Sequence, residues 1–408
     1  MEDGTPHLLD EHLTEVGSLA SSFLEGTDWK EFGRIAGLWH DLGKYSLGFQ
    51  RRIREENGFA AHMEGATETF RDHSTAGALW AQEKLGKNAL PIAMAIAAHH
   101  AGLADLDDLK RRLRERGKTL EEALSGSPVS SILEDYPRQV PAALAHISKE
   151  PKALLRLELS IRILFSALCD ADFLDTERFY DATRAALRDG RPPLNAIHDR
   201  LLKHIESLQA HSDDSPVNRA RADVQQHASN AAALSPGVFD LTVPTGGGKT
   251  LAGLRFGVEH ALKHEFDRVI VAIPFTSIIE QTSDVYRAIL GEEAVIEHHS
   301  ALDPLRENPR NRIACENWDG PVVVTTTVQL FESLFARRTS RARKLHRVRK
   351  SVIILDEAQT LPPCLLRPIL GMLNGLVEDH QVSVVICTAT QPALGRSSWL
   401  PEGFEEIR

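Results

Sequence analysis

The chain has 408 residues, which is too long for one ordinary domain and predicts two or three. Its composition, 42% hydrophobic and 25% charged, is that of a globular protein, and no apolar run is long enough for a membrane span or a secretory signal, so we expect a cytoplasmic protein without membrane contact. The net charge of −10 does not advertise a nucleic-acid-binding surface, and four widely spaced cysteines argue against a disulfide framework or a cysteine-ligated metal site.

The hydrophobic pattern changes character along the chain. Residues 1–208 are predicted to be all-helical, because apolar residues recur at helical spacing and clear strand runs are lacking. A polar stretch with turn residues at 209–219 is interpreted as a linker. From 220 to 408 short apolar runs (VFDLTV, RVIVAI, PVVVTT, SVIILD and VSVVICT) alternate with helical segments, which predicts an α/β domain with a buried parallel sheet and helices on both faces.

One basic segment stands out against the negative net charge. Residues 337–350 (RRTSRARKLHRVRK) hold eight Lys or Arg and no acid. Two interpretations are open: a solvated surface loop, or a strip that contacts phosphate groups.

The helical half carries a series of histidines and aspartates that are candidate metal ligands. They are His12, His40, Asp41, His73, His99, His100 and Asp172. Imidazole and carboxylate groups hold divalent metals of borderline and hard character, and several of these residues directly follow apolar runs, where a polar side chain needs a reason to be buried. Seven ligands exceed the three or four that one catalytic ion takes, and they suffice for two ions if one carboxylate bridges.

We assign Asp41 as the bridging residue of this predicted two-metal site. His12, His40 and Asp172 would complete one ion, and His73, His99 and His100 the other. Asp170 competes with Asp172, which is preferred because it lies four residues after Leu168 and extends an apolar stripe along a helix. Lys44 either contacts the scissile phosphate or is a plain surface lysine. The mixed nitrogen and oxygen ligation favours transition metals: manganese, iron, nickel or cobalt, with zinc also compatible.

The second half contains a phosphate-binding loop after a predicted strand. Its residues are Thr245, Gly246, Gly247, Gly248, Lys249 and Thr250. Glycines let backbone N–H groups turn toward phosphate oxygens, Lys249 would reach the β and γ phosphates of ATP, and the Thr250 hydroxyl would bind Mg²⁺. About a hundred residues later a buried strand ends at Asp356 and Glu357, which would hold the Mg²⁺ and orient the attacking water respectively.

These motifs together resemble the signature nuclease-helicase of type I CRISPR systems. The helical half is similar through HDLGK (40–44), DHSTAGA (72–78), AAHHAG (97–102) and DADFLD (170–175); the second half is similar through PTGGGKT, PFTSIIEQT, DEAQ and TAT (388–390). The resemblance implies an HD-type nuclease domain followed by the first RecA-like lobe of a superfamily 2 helicase. It also implies degradation of single-stranded DNA at the R-loop made by the Cascade surveillance complex and its CRISPR RNA.

The chain departs from this family in ending 18 residues after the TAT element. Helicases of the family need a second RecA-like lobe, which we expect to be absent here, so nucleotide binding with weak or no hydrolysis is expected. Two other interpretations compete: an HD-type nucleotide phosphohydrolase with a regulatory ATP-binding lobe, and a non-catalytic scaffold. The first explains the metal ligands but not the helicase motifs, and the ligand set itself speaks against the second.

Overall fold

The computed structural model describes residues 7–55, 72–145, 150–300, 308–389, 393–398 and 400–408. The chain divides into two compact units. The first unit comprises Met1–Ala186 together with Ala336–His346, and the second unit comprises Leu187–Phe335 together with Arg347–Arg408.

The first unit is helical throughout its described residues, as predicted. Its helices are α1 (Leu9–Phe23), α2 (Lys30–Trp39), α3 (Leu47–Glu55), α4 (Ser74–Leu85), α5 (Leu90–Ala98), α6 (Leu106–Glu115), α7 (Lys118–Ser125), α8 (Ser130–Leu133), α9 (Ala142–Ala145), α10 (Pro151–Tyr180), α11 (Ala182–Ala186) and, from the returning segment, α18 (Thr339–Ala342). A short 3₁₀ turn, Leu42–Tyr45, follows α2.

Helix α10 is the longest helix of the described chain and runs through the core of the first unit. It begins at Pro151, whose missing N–H and fixed φ suit a first helical position. The predicted apolar stripe along it is buried, from Leu157 through Leu164 to Leu168, and the helix contacts α1, α2 and α5. This central helix therefore reaches the elements that carry most of the predicted metal ligands.

The second unit is an α/β domain built on a parallel sheet. Its strands are β1 (Val238–Thr242), β2 (Arg268–Ile273), β3 (Val295–His298), β4 (Val322–Thr326), β5 (Ser351–Asp356) and β6 (Val382–Thr388). Its helices are α12 (Leu194–His211), α13 (Pro216–Ala232), α14 (Lys249–Lys263), α15 (Thr276–Leu290), α16 (Pro309–Asn317), α17 (Thr327–Leu334) and α19 (Leu366–Asp379).

The strands of this sheet lie in the order β1-β6-β5-β2-β4-β3, and every neighbouring pair is parallel. All residues of β2, β4 and β6 are buried, which requires cover on both faces of the sheet. The five strands predicted from apolar runs are present. The sixth, β3, was missed because its sequence, VIEH, has only two apolar residues; it forms the sheet edge beside β4.

The passage between the units differs from the linker predicted at 209–219. That stretch lies inside the second unit, where it is the connection between the end of α12 at His211 and the start of α13 at Pro216. The physical reason is the apolar face of α12: Ile197, Leu201 and Ile205 are buried in the core of the second unit. The polar stretch marks a helix-to-helix turn, and the chain changes units after Ala186.

No helix in the described parts of the chain is both long and apolar enough to cross a membrane.

Candidate metal centre and phosphate loop

The seven predicted ligands come from separate elements of the first unit. His12 lies in α1, His40 and Asp41 directly follow α2, and His73 directly precedes α4. His99 and His100 follow α5, and Asp172 lies in the second half of α10. All are buried except His100, which is exposed.

The carboxylate of Asp41 lies at the centre of this cluster. Its Oδ1 is 3.1 Å from His73 Nε2 and 3.3 Å from His99 Nε2. Its Oδ2 is 3.3 Å from His40 Nε2 and 3.8 Å from His12 Nε2. Each oxygen of Asp41 thus faces a different pair of imidazoles, which is the geometry a bridging carboxylate needs.

The remaining two candidates lie on opposite sides of Asp41. Asp172 Oδ1 is 3.4 Å from His12 Nε2 and 3.7 Å from His40 Nε2. The ring of His100 is 4.0 Å from that of His99 and 4.8 Å from that of His73, measured between centroids. The structure thus brings together all seven residues. His73, His99 and His100 cluster with Asp41, as do His12 and His40, and Asp172 clusters with His40 and His99.

The donor atoms of this cluster test whether the residues fit a metal. Within the described residues, His12 Nε2, His40 Nε2, His99 Nε2, both nitrogens of His73, Asp41 Oδ1 and Asp172 Oδ1 are buried without a hydrogen-bond partner. Burying such atoms unsatisfied is costly, on the order of 1–3 kcal/mol each. Nitrogen and carboxylate oxygen atoms that converge in this way match the donor set of divalent transition metals. The residues therefore fit a metal centre.

Backbone carbonyls orient two of the imidazoles. His40 Nδ1 lies 2.7 Å from the Gly37 carbonyl, and His99 Nδ1 lies 2.6 Å from the Ile96 carbonyl. Since a carbonyl oxygen only accepts, each Nδ1 donates, and each Nε2 is the nitrogen that faces Asp41. In both cases the acceptor lies three residues earlier, at the end of the helix that delivers the histidine.

Lys44 reaches the same carboxylate. Its Nζ is 2.5 Å from Asp41 Oδ2, and the side chain is buried, so the surface-lysine interpretation is wrong. Burial raises the pKa of Asp41, but Lys44, His40 and His73 outweigh it and hold the pKa of that carboxyl well below its usual range. Asp41 is therefore ionised at neutral pH, as a metal ligand must be.

Asp170 and Asp172 have different surroundings, although they lie only two residues apart on α10. Asp170 Oδ1 accepts a hydrogen bond from Arg343 Nε at 2.7 Å, and its Oδ2 is 3.5 Å from His346 Nε2. Asp172 faces His12 and His40 instead. The geometry therefore favours Asp172 as the ligand and makes Asp170 the partner of the returning segment.

The basic segment at 337–350 is not a uniform surface strip. Arg337, Arg338 and Arg341 are exposed, whereas Arg343 and Lys344 are buried. Residues up to His346 belong to the first unit, where the Ser166 hydroxyl donates to the Ala342 carbonyl at 2.5 Å. Part of its charge is therefore used in internal contacts, which neither interpretation of the sequence anticipates.

The phosphate loop joins β1 to α14. Gly246 and Gly248 have φ of 82° and 85°, a left-handed conformation that residues with a side chain adopt only with strain. Thr245 and Thr250 are exposed, and Lys249 begins α14. The loop therefore presents backbone N–H groups and a helix N-terminus at the carboxyl end of β1, where nucleotide phosphates bind in folds of this kind.

Asp356 and Glu357 lie beside this loop. Lys249 Nζ is 2.7 Å from Glu357 Oε1 and 3.3 Å from Asp356 Oδ1. The hydrogen bond from Lys249 lowers the pKa of Glu357, whereas burial raises that of Asp356. Thr388, at the end of β6, lies beside Thr242 at the end of β1, with 3.4 Å between the two hydroxyl oxygens. Thr390, the last residue of the TAT element, is outside the described residues.

Family models match both halves of the chain. Residues 3–170 match the family described as Cas3, HD domain, and residues 222–396 match the family described as DEAD/DEAH box helicase. The first half of the chain is thus similar to a Cas3 HD domain, and the second half to a DEAD/DEAH-box helicase domain. This confirms the two predicted fold types and their order.

One curated relative and several solved structures are similar to the chain across both halves. A CRISPR-associated nuclease/helicase Cas3 of Haloferax volcanii is 26% identical over 97% of this chain and 50% of its own length. The crystal structure of T. fusca Cas3-AMPPNP superimposes with a TM-score of 0.59 at 16% identity, covering 95% of this chain and 49% of that one. A chain of a CRISPR RNA-guided surveillance complex, pre-nicking, gives a TM-score of 0.55 at 16% identity over 95% of this chain and 46% of its own. The chain thus spans about half the length of the relatives that it matches.

One residue beside the HD site was missed by sequence reasoning. Asp175 Oδ2 is 2.6 Å from His12 Nδ1, and both side chains are buried. Its spacing of three residues from Asp172 on a helix is the signal that could have found it, because such residues share a face.

Proposed function

We propose that the chain is a metal-dependent DNA nuclease coupled to an ATP-dependent helicase module, and that it degrades single-stranded target DNA in type I CRISPR interference. Its substrate is the displaced strand of an R-loop, and its partner is the Cascade surveillance complex with its CRISPR RNA. The names of the Haloferax volcanii relative and of the pre-nicking surveillance complex support this assignment.

One observation carries the nuclease proposal: buried imidazole and carboxylate atoms converge on Asp41 without hydrogen-bond partners among the described residues. Two ions of manganese, iron, nickel or cobalt suit these donors. When bound, such a pair activates water and stabilises the charge on the attacking and leaving oxygens of a phosphodiester.

The proposed ligands keep the grouping that was predicted. Asp41 would be the shared ligand; His12, His40 and Asp172 would hold one ion, and His73, His99 and His100 would hold the other. Lys44 adds a buried positive charge beside Asp41, where it would attract the scissile phosphate and hold it against the ions.

The nucleotide site is proposed at the loop of residues 245–248 with Lys249 and Thr250. The loop N–H groups and Lys249 would bind the phosphates of ATP, and Thr250 with Asp356 would hold Mg²⁺. Glu357 would orient the attacking water. The proximity of Lys249 to both acidic residues supports a single phosphate site at this edge of the sheet.

Cleavage of single-stranded DNA by the purified chain, with each candidate metal, tests the nuclease proposal. Wild type is expected to cut, and Asp41→Ala is expected to lose cutting because both ions lose their shared ligand. Lys249→Ala should lose ATP binding and keep metal-dependent nicking. Equal cutting by Asp41→Ala and wild type would refute the site. Release of phosphate from small nucleotides without any cutting of DNA would instead favour the nucleotide phosphohydrolase.

A further inference from the structure

Helix α10 supplies a second carboxylate to the metal centre region, one helical turn beyond Asp172. Asp175 is buried, with a side-chain exposure of 8%. Its Oδ2 lies 2.6 Å from Nδ1 of His12. Because residues three apart share a helix face, one face of α10 presents Asp172 to Nε2 of the His12 ring and Asp175 to Nδ1.

This contact makes Nδ1 of His12 a hydrogen-bond donor. An ionised carboxylate only accepts hydrogen bonds, so Nδ1 donates to Asp175 and Nε2 is the nitrogen left to bind a metal. Nε2 is the atom that faces Asp172 at 3.4 Å and Asp41 at 3.8 Å. Asp175 thus holds the ring in the tautomer and orientation that a metal ligand requires.

The acceptor at His12 differs in kind from those at the other oriented histidines. His40 and His99 donate to neutral carbonyls of their own preceding helical turn. His12 donates to a charged group 163 residues away in the chain. A carboxylate partner increases the electron density of the imidazole more than a carbonyl does, which strengthens Nε2 as a ligand.

Asp175 is itself held in place on its other side. His7 Nε2 lies 3.3 Å from the same Oδ2 atom, and the His7 ring stacks on Phe179 with 4.1 Å between centroids and an angle of 6°. Phe179 lies one turn beyond Asp175 on α10. This cover restricts the access of water to the carboxylate, so its bond to His12 acts in a partly dry environment.

We propose that Asp175 is a positioning residue for the metal centre: it directs His12 Nε2 toward Asp41 and Asp172 and sets the affinity of the ion on the His12 side. The inference rests on the proposed metal centre. Loss of Asp175 should weaken only one of the two ions. His12 faces Asp41 Oδ2, whereas His73 and His99 face Oδ1 of that carboxylate.

Metal binding to the full chain, stripped of metal and titrated with Mn²⁺ or Co²⁺, tests this role without any activity assay. Asp175→Asn keeps the side-chain shape and removes the charge. It should weaken one of the two ions by about 10–100-fold, the usual loss for such an outer partner, and leave the other unchanged. The visible spectrum of the weaker Co²⁺ site should change as well, because it depends on ligand geometry.

Glu177→Gln is the matched control, since Glu177 also lies on α10 and accepts a 2.7 Å hydrogen bond from Arg184. It should bind both ions as wild type does. A double-mutant cycle with His12→Gln separates positioning from a general loss of folding: once His12 is replaced, Asp175→Asn should have no further effect on affinity.

These measurements distinguish failure of the positioning role from failure of the metal centre. Wild-type affinity for both ions in Asp175→Asn, or an undiminished effect of Asp175→Asn in the His12→Gln background, would overturn the positioning role while leaving the metal centre intact. Failure of wild type to bind any ion would refute the metal centre itself.

Discussion

The side chain of Asp41 shares its two oxygens among four imidazoles and one lysine. The negative charge of Asp41 therefore compensates that of Lys44, and its carboxylate oxygens face proposed ligands of both ions. Removing that charge would leave Lys44 buried without compensation, a change that costs about 3–5 kcal/mol in buried ion pairs. A loss of cutting in Asp41→Ala must therefore be interpreted together with the thermal unfolding of the metal-free variant.

His260 in the second unit provides a pH-dependent prediction at the same scale. Its Nδ1 donates to the Ala232 carbonyl at 2.9 Å, and its Nε2 lies 2.8 Å from the Ser383 hydroxyl. Because Nδ1 carries the proton of the neutral ring, the Ser383 hydroxyl donates to Nε2 while it accepts from the Gly237 N–H. Burial, reinforced by His264, lowers the pKa of His260 to about 4 despite the bond to Ala232.

This shift predicts that acid destabilises the protein through His260. As pH falls below about 6.5, the unfolded chain takes up a proton at this residue while the folded chain stays neutral until about pH 4. Stability should therefore fall across that window more steeply in wild type than in His260→Asn, as measured by urea unfolding at several pH values. The exposed His211→Asn is the control and should follow wild type; equal slopes for all three proteins would contradict the prediction.

At the scale of elements, the contact of α1 with α2 decides whether His12 meets His40. A methyl group on Gly37 would lie 2.5 Å from the Cα and N atoms of Gly17, so the two helices touch backbone to backbone. His12 and His40 each lie about one turn from this contact, and their ring centroids are 5.2 Å apart. Two small residues thus determine the distance between ligands of different helices.

Gly37→Ala is expected to push these helices apart. The backbone of Gly17 cannot yield as a flexible side chain would, so the free energy of unfolding should fall by about 1–3 kcal/mol or more. Metal affinity should fall with it, because His12 and His40 separate. Gly48→Ala is the matched control, since nothing lies within 4 Å of the added methyl, and it should be neutral or slightly stabilising. Tight metal binding in Gly37→Ala would show that the helix contact does not control the site.

At the scale of the molecule, the two proposed sites belong to different compact units. A ligand that binds only the folded state stabilises it by about 2.7 kcal/mol at a hundred times its dissociation constant. Mn²⁺ and a non-hydrolysable ATP analogue with Mg²⁺ should therefore each raise the unfolding temperature through its own site.

Two single variants should separate these effects. Asp41→Ala is expected to abolish the shift caused by Mn²⁺ and retain that caused by the nucleotide, and Lys249→Ala should do the reverse. Differential scanning calorimetry measures both. Loss of both shifts in either variant would mean that the sites are not independent, contrary to their assignment to separate units.

Local patterns in the sequence by themselves determined the motifs and most of the secondary structure. The phosphate loop and the acidic strand end are short motifs of neighbouring residues, and the histidine and aspartate series is recognised by its order along the helical half. Helical periodicity predicted the helices of the first unit, and apolar runs predicted five of the six described strands. Burial of one or both faces of an element produces these repeating patterns of apolar residues.

Only the tertiary structure decided the features that depend on distant contacts. Asp170 and Asp172 are nearly equivalent in sequence, and it is Arg343, 173 residues from Asp170, that distinguishes them. The pairing of Asp175 with His12, the return of residues 336–346 to the first unit and the edge strand β3 are likewise products of packing between remote segments. Local sequence patterns predict which faces of helices and strands are apolar. They do not predict which distant segments pack against each other, because those contacts form only in the folded chain.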